Sequence, residues 1–179
     1  MFNFDNEKKI IGMIHLKPLP GSPRFNDMEE VVQSALEDAN KLETGGVDAL
    51  MVENYGDRPF WKIITEETFS AMLEVCENIN DEIEIPIGVN VLRNDWKSAL
   101  MIADGLDLSF VRVNVYTGVT LTEQGIIEGE AGKIQRFKSK RNIDTQIFSD
   151  IHVKHGKTIY PDRIEDAAIE SIDRGLADA

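Results

Sequence analysis

Three short stretches of this sequence resemble one another: GGVDA at 45–49, DGLDL at 104–108 and RGLADA at 174–179. Each follows a segment in which apolar residues recur at helical spacing. Glycine stops a helix readily, and here it hands the chain to a new apolar run. The repeating unit is therefore strand, loop, helix, glycine, next strand. Each repeat takes roughly 25–40 residues, the size of a βα unit in a parallel sheet. That recurrence fixes the fold class as α/β and organises the rest of the reading.

Five strands are predicted, at 10–16 (IIGMIHL), 47–55 (VDALMVENY), 85–92 (IPIGVNVL), 108–116 (LSFVRVNVY) and 148–155 (FSDIHVKH). Asp27, with Glu30 reaching back, caps a helix through Val31, Ala35, Leu36, Ala39 and Leu42. A second helix starts near Thr65 and carries Phe69, Met72, Leu73, Cys76 and Ile79. A short one covers 96–103, and Met72, Trp96 and Met101 read as core. The connection 117–142 is read as a loop followed by a helix through Ile134 and Phe137. Asp162 and Glu165 form a second capping box, before a helix through Ile164, Ala168 and Ile172. Residues 176–179 read as the opening of a sixth strand.

Side chains alternate along a strand. Each predicted strand has one face of branched apolar residues and another that turns polar near its C-terminal end. A doubly wound sheet, covered by helices on both faces, would give continuous apolar strands instead. An open α/β sheet is the alternative, but the alternation favours a (β/α)8 TIM-type barrel with its polar ends at the mouth. Closing such a barrel takes about 250 residues. Residues 1–179 are thus expected to form a single domain, the N-terminal two thirds of a barrel: about five βα units plus the start of strand six.

The inward mouth residues are His15, Lys17, Glu53, Asn90, Arg112, Asn114, Asp150, His152 and Lys154. Asp150 or Glu53 paired with His152 can run general acid–base catalysis. His15, Glu53, Asp150 and His152 form a candidate divalent-metal set; the bland alternative is a hydrogen-bonded polar plug. Lys17 and Lys154 suit a phosphate, or a Schiff base if a pKa were depressed, against simple ion pairing with Asp150 or Glu53. Arg112 suits bidentate recognition of phosphate or carboxylate, or else partners Glu53 or Asp150. His15, Asn90 and Asn114 complete the substrate-binding set. His155 reads as a loop residue, and Asp57, Arg93 and Asp95 as helix-capping candidates. GEAGK at 129–133 lacks the spacing of a phosphate loop.

The net charge of −13 and pI near 4.6 argue against non-specific nucleic-acid binding and against docking on an anionic membrane. Cys76, the single cysteine, allows neither an intrachain disulfide nor a cysteine zinc cage. With no signal-like start and no membrane-spanning run, the expected home is the cytoplasm. The open strand edges of an incomplete barrel predict self-pairing into a homo-oligomer.

Six motifs carry a family resemblance: GMIHLKPLPGSP at 12–23, GGVDALMVENYGDRPF at 45–60, GVNVLRND at 88–95, RVNVYTG at 112–118, TEQGIIEG at 122–129 and DIHVKHG at 150–156. In that order they resemble the BtpA/SgcQ family. The resemblance implies a TIM-type barrel akin to the ribulose-phosphate-binding barrels, with phosphate binding in the last quarter. One branch is named for photosystem I biogenesis, another for a sugar-metabolism operon. It implies no settled reaction and no catalytic residues. The chain departs from the family by ending before the sixth strand and the Gly-rich loop. Two functions follow as expectations. One is an enzyme acting on a small anionic metabolite, a phosphorylated sugar or nucleoside. The other is a non-catalytic assembly factor for a protein complex such as photosystem I.

Overall fold

The computed structural model describes residues 8–179, so most of the polar lead-in expected over 1–9 lies outside the described residues. The elements run β1 (Ile11–His15), α1 (Met28–Thr44), β2 (Ala49–Glu53), α2 (Glu66–Glu82), β3 (Ile87–Asn90), α3 (Trp96–Gly105) and β4 (Phe110–Val113). Then follow β5 (Val119–Thr122), β6 (Gly125–Glu128), α4 (Ala131–Arg141), β7 (Gln146–Ser149), β8 (Lys157–Tyr160) and α5 (Ile164–Ile169), which continues as a π-helical turn, Glu170–Arg174. One sheet has the order β1-β2-β3-β4-β7, with every neighbouring pair parallel.

The alternation read from the sequence divides this sheet into two chemically distinct faces. Ile14, Leu50, Val52, Val89, Val111, Val113 and Ile147 pack in one core with the buried stripes of α1, α2 and α3 and with Ile134 of α4. The opposite face carries Ala49, Met51, Phe110 and Phe148, with Ile11 packed against them, and no helical residue joins this cluster. Helices on one face only rule out the doubly wound alternative for the described residues. On the helix-free face the Phe110 and Phe148 rings stack with centroids 4.4 Å apart. Gly88 makes room for them: a Cβ there would lie 2.2 Å from the Phe110 ring.

The caps follow the sequence closely. Asp27, Thr65 and Asp95 each accept a bond from the backbone N–H three residues on, satisfying orphan donors at the starts of α1, α2 and α3. Glu30 does not reach back to complete the first capping box; its carboxylate is taken by Lys17 and Asn26. Cys76 is fully buried in the helical core, where burial pushes its thiol up to about 12.

Four expectations are corrected. The predicted strand over 148–155 stops at Ser149, because the ladder ends with Asp150 N–H donating to Val113 O at 3.1 Å. His152 then adopts φ +58, and this left-handed residue turns the backbone and ends the alternation. The connection after β4 is not a plain loop: it holds the β5–β6 hairpin, which β8 joins as a three-stranded antiparallel sheet, β6-β5-β8. Val115, Ile127 and Val153 form a small core with this sheet. The last helix is capped at Arg163 without a side-chain bond. It buries Ala167 and Ser171 while Ile164 and Ile172 are exposed. Met101, read as core, is exposed.

At the far edge, Asp178 N–H donates to Ile147 O at 2.9 Å and Ser149 N–H to Ala179 O at 2.8 Å, so residues 178–179 run alongside β7. Among the described residues, no helix is long and apolar enough to cross a membrane.

Candidate functional site

The C-terminal ends of all five parallel strands meet in one polar cluster on the helix-free face. Glu53, 5% exposed, closes β2 and is its centre. Its Oε1 accepts from Asn90 Nδ2 at 2.6 Å and from an Arg112 terminal nitrogen at 3.3 Å. Its Oε2 lies 3.5 Å from His15 Nε2 at the end of β1. Arg112 turns its other edge to Asp150, just past β7, donating from Nε at 2.7 Å and from a terminal nitrogen at 2.9 Å. Asn114 donates to the same carboxylate at 3.0 Å. Burial alone would lower the Arg112 pKa. The bonds and charge of Asp150, together with the charge of Glu53, outweigh it and hold the guanidinium above its ordinary value.

Six of the nine expected mouth residues therefore touch in one chain: His15, Glu53, Asn90, Arg112, Asn114 and Asp150. Lys154 does not bond into it but lines the same cavity, as does His155, which follows it in a loop. Lys17 is elsewhere, pairing with Glu30 at the start of α1. His152 is turned away as well, its Nε2 2.8 Å from Pro161 O. The expected acid–base pairing of His152 with Asp150 or Glu53 is therefore not formed. The proposed metal set does not converge either. Among the described residues, no group of three or more His, Cys, Asp or Glu is arranged to hold a metal ion. His152 has left the mouth, and both Asp150 oxygens are committed to Arg112 and Asn114.

The cluster opens on a cavity of about 300 Å³. Sequence reasoning missed part of its wall. Tyr55 stacks on His15 at 4.4 Å between centroids, and Phe60 lies tilted to Tyr55 at 6.4 Å. Tyr55 stands two residues beyond Glu53, so extending the alternation by one step would have found it. Arg93, read as a capping residue, instead lines the cavity with Glu123 from the β5–β6 turn. Glu123 had a signal in EQG between two apolar runs, a hairpin pattern.

The loops around the mouth are tied by Asp57. Its carboxylate accepts from Leu19 N–H at 2.7 Å and from Asn54 Nδ2 at 3.1 Å, while Asn54 Oδ1 accepts from Leu92 N–H at 2.7 Å. This one group thereby joins the loops after β1, β2 and β3. Burial pushes the Asp57 carboxyl above the ordinary aspartate range, against the pull of these bonds. The folded state thus holds this proton more tightly than the unfolded state. The Asp57 contribution to stability is expected to fall as pH rises from the ordinary value through the raised one. Urea denaturation at about pH 4 and about pH 7 checks this: the stability of the native protein relative to Asp57→Asn should be smaller at the higher pH.

These features define a parallel α/β protein whose helices lie on one face and whose polar site gathers at the C-terminal strand ends. The sequence model of the BtpA family matches residues 6–179, and the chain belongs to that family. It is 46% identical over 173 residues to an uncharacterized protein of Thermococcus kodakarensis, covering 96% of this chain and 66% of the relative. It is 40% identical over 177 residues to the photosystem I biogenesis protein BtpA of Synechocystis sp., covering 98% of this chain and 62% of that protein. The chain thus spans about two thirds of the length of these relatives. Among solved structures, 7,8-dihydropteroate synthase from Vibrio fischeri matches in fold, with a TM-score of 0.51 at 15% identity, over 96% of this chain and 72% of the synthase.

Proposed function

We propose that the five βα units are the greater part of a (β/α)8 barrel enzyme. It acts at the mouth on a small anionic metabolite, a phosphorylated sugar or nucleoside. The observation that carries this reading is the Glu53 network, drawn from all five strand ends and opening on a cavity. Glu53 Oε2, with His15 as neighbour, is the proton-transfer group. Asp150 positions Arg112, and Lys154 supplies the anion-binding charge. A screen of phosphorylated sugars and nucleosides against the purified protein is expected to find a compound that is turned over. Glu53→Gln should then cut turnover by roughly 10²–10⁴-fold with binding kept. A panel in which no phosphorylated compound raises the melting temperature defeats the reading.

The name of the Synechocystis relative favours a second reading, an assembly factor for a protein complex such as photosystem I. Trp61, Ile63 and Ile126, exposed outside the mouth, supply apolar surface for a partner. On this reading complex assembly survives Glu53→Gln and fails when Trp61 and Ile63 are made polar.

A further inference from the structure

Two buried polar atoms at the mouth have no hydrogen-bond partner among the described residues, and they are of opposite kind: Arg93 Nε is a donor and Asn114 Oδ1 an acceptor. The Asn114 orientation follows from chemistry, since its Nδ2 must face the acceptor-only Asp150 carboxylate. Both residues line the 300 Å³ cavity, and both are almost wholly buried. Buried polar groups in folded proteins are paired, by protein, ligand or ordered water, so these two atoms are ones that a polar ligand atom, or a water bridging to it, would satisfy.

Arg93 is held ready for that role. Its backbone N–H donates to Trp61 O at 2.8 Å and a terminal nitrogen to His155 O at 3.2 Å. Among the described residues no carboxylate forms an ion pair with Arg93 or with Lys154. Glu123, whose charge acts on Arg93 and His155, is an acceptor suited to sugar hydroxyls. The opposite wall is aromatic. His15, Tyr55 and Phe60 line the cavity; His15 covers one face of the Tyr55 ring and Arg58, at 4.5 Å, the other, so the ring faces left for a ligand are those of His15 and Phe60. A planar base gains more from such a wall than a sugar phosphate does, because it stacks ring on ring. The volume is at the low end of the range for ligand sites, about 300–1,000 Å³, which is room for one nucleotide.

We infer that the mouth takes a nucleoside monophosphate, its base against the His15 and Phe60 rings and its phosphate on Arg93 and Lys154. This rests on the anionic-metabolite reading above and narrows it to nucleotides. Calorimetry of the purified protein with AMP, UMP, ribose 5-phosphate and adenosine tests it. At least one nucleotide is expected to bind about tenfold more tightly than ribose 5-phosphate, the scale of one base–aromatic stack. Its ring protons should shift upfield in NMR. Phe60→Leu removes the advantage and leaves ribose 5-phosphate affinity within about twofold; Tyr55→Leu, which takes away the ring that His15 stacks on, does the same if Phe60→Leu fails to fold. Arg93→Gln weakens nucleotide and sugar phosphate together. If ribose 5-phosphate binds as tightly as both nucleotides, or if the wall variants weaken both ligand types equally, the nucleotide inference falls and the anionic-metabolite reading stands. If no phosphorylated compound binds, both fall.

Discussion

Arg112→Met should lower stability by about 3 kcal/mol, the largest loss expected from any single change at the mouth. Among the described residues the guanidinium is the one cation bonded to both Glu53 and Asp150, and its removal deletes three charge-assisted bonds at once. Glu53, almost wholly buried, is then left without its cation. Breaking a buried ionic network from one side costs about 3–5 kcal/mol. The side chain of Arg112 is 29% exposed, so water screens part of the effect and the low end applies. The raised Arg112 pKa means its contribution is fully present below the ordinary guanidinium value and lost only in strong alkali. The gap between native protein and variant should thus be flat across neutral and mildly alkaline pH. Arg112→Lys restores charge without the fork and should recover only part of the loss. Denaturant midpoints measure all three proteins, and a loss below about 1 kcal/mol for the methionine variant contradicts the network.

Gly88→Ala is the second large effect, and here two rules disagree about sign. Glycine inside a strand is weaker than alanine by roughly 0.5–1 kcal/mol, so propensity alone predicts a gain. The added Cβ, however, would sit 2.2 Å from the ring of Phe110, which is fully buried and stacked on Phe148. Overpacking of a filled core costs about 1–3 kcal/mol. Steric cost wins: so close an approach calls for the upper end of that range, which leaves a net loss of about 2 kcal/mol. Phe110→Leu added to Gly88→Ala should recover much of it, and the double-mutant cycle reads the coupling directly. A Gly88→Ala protein as stable as the native one would mean that the two rings do not fill this face.

Why could the first four strands be read from sequence while the fifth was misplaced? In β1 to β4 one face packs on helices and the other ends at the polar mouth, so residue types alternate toward the C-terminal ends even where both faces are buried, as in β2 and β3. In the fifth, Ile151 and Val153 continue that alternation past Ser149, although the backbone has already turned. Nothing in IHVKH announces that His152 takes a left-handed conformation, so the inward placement fails for His152, while Lys154 still reaches the cavity from the loop. Asp150 was placed correctly because it is the last residue held by the ladder. Lys17 was lost for the opposite reason: Glu30, brought near by the fold of the β1–α1 loop, captures it. The small antiparallel sheet was passed over because 117–142 was treated as one connection. VTLT and GIIE, flanking a glycine turn with φ +94 at Gly125, carried the pattern.

That small sheet draws two strands from the segment after β4 and one from the segment after β7, and it shares no ladder with the parallel strands. Its length and side chains can be edited without shifting the register beneath. On the proposed function, selectivity and scaffold robustness are then separate dials in this molecule. Swapping 117–129 and 153–160 between homologues is a direct way to redirect what enters while leaving the underlying architecture untouched.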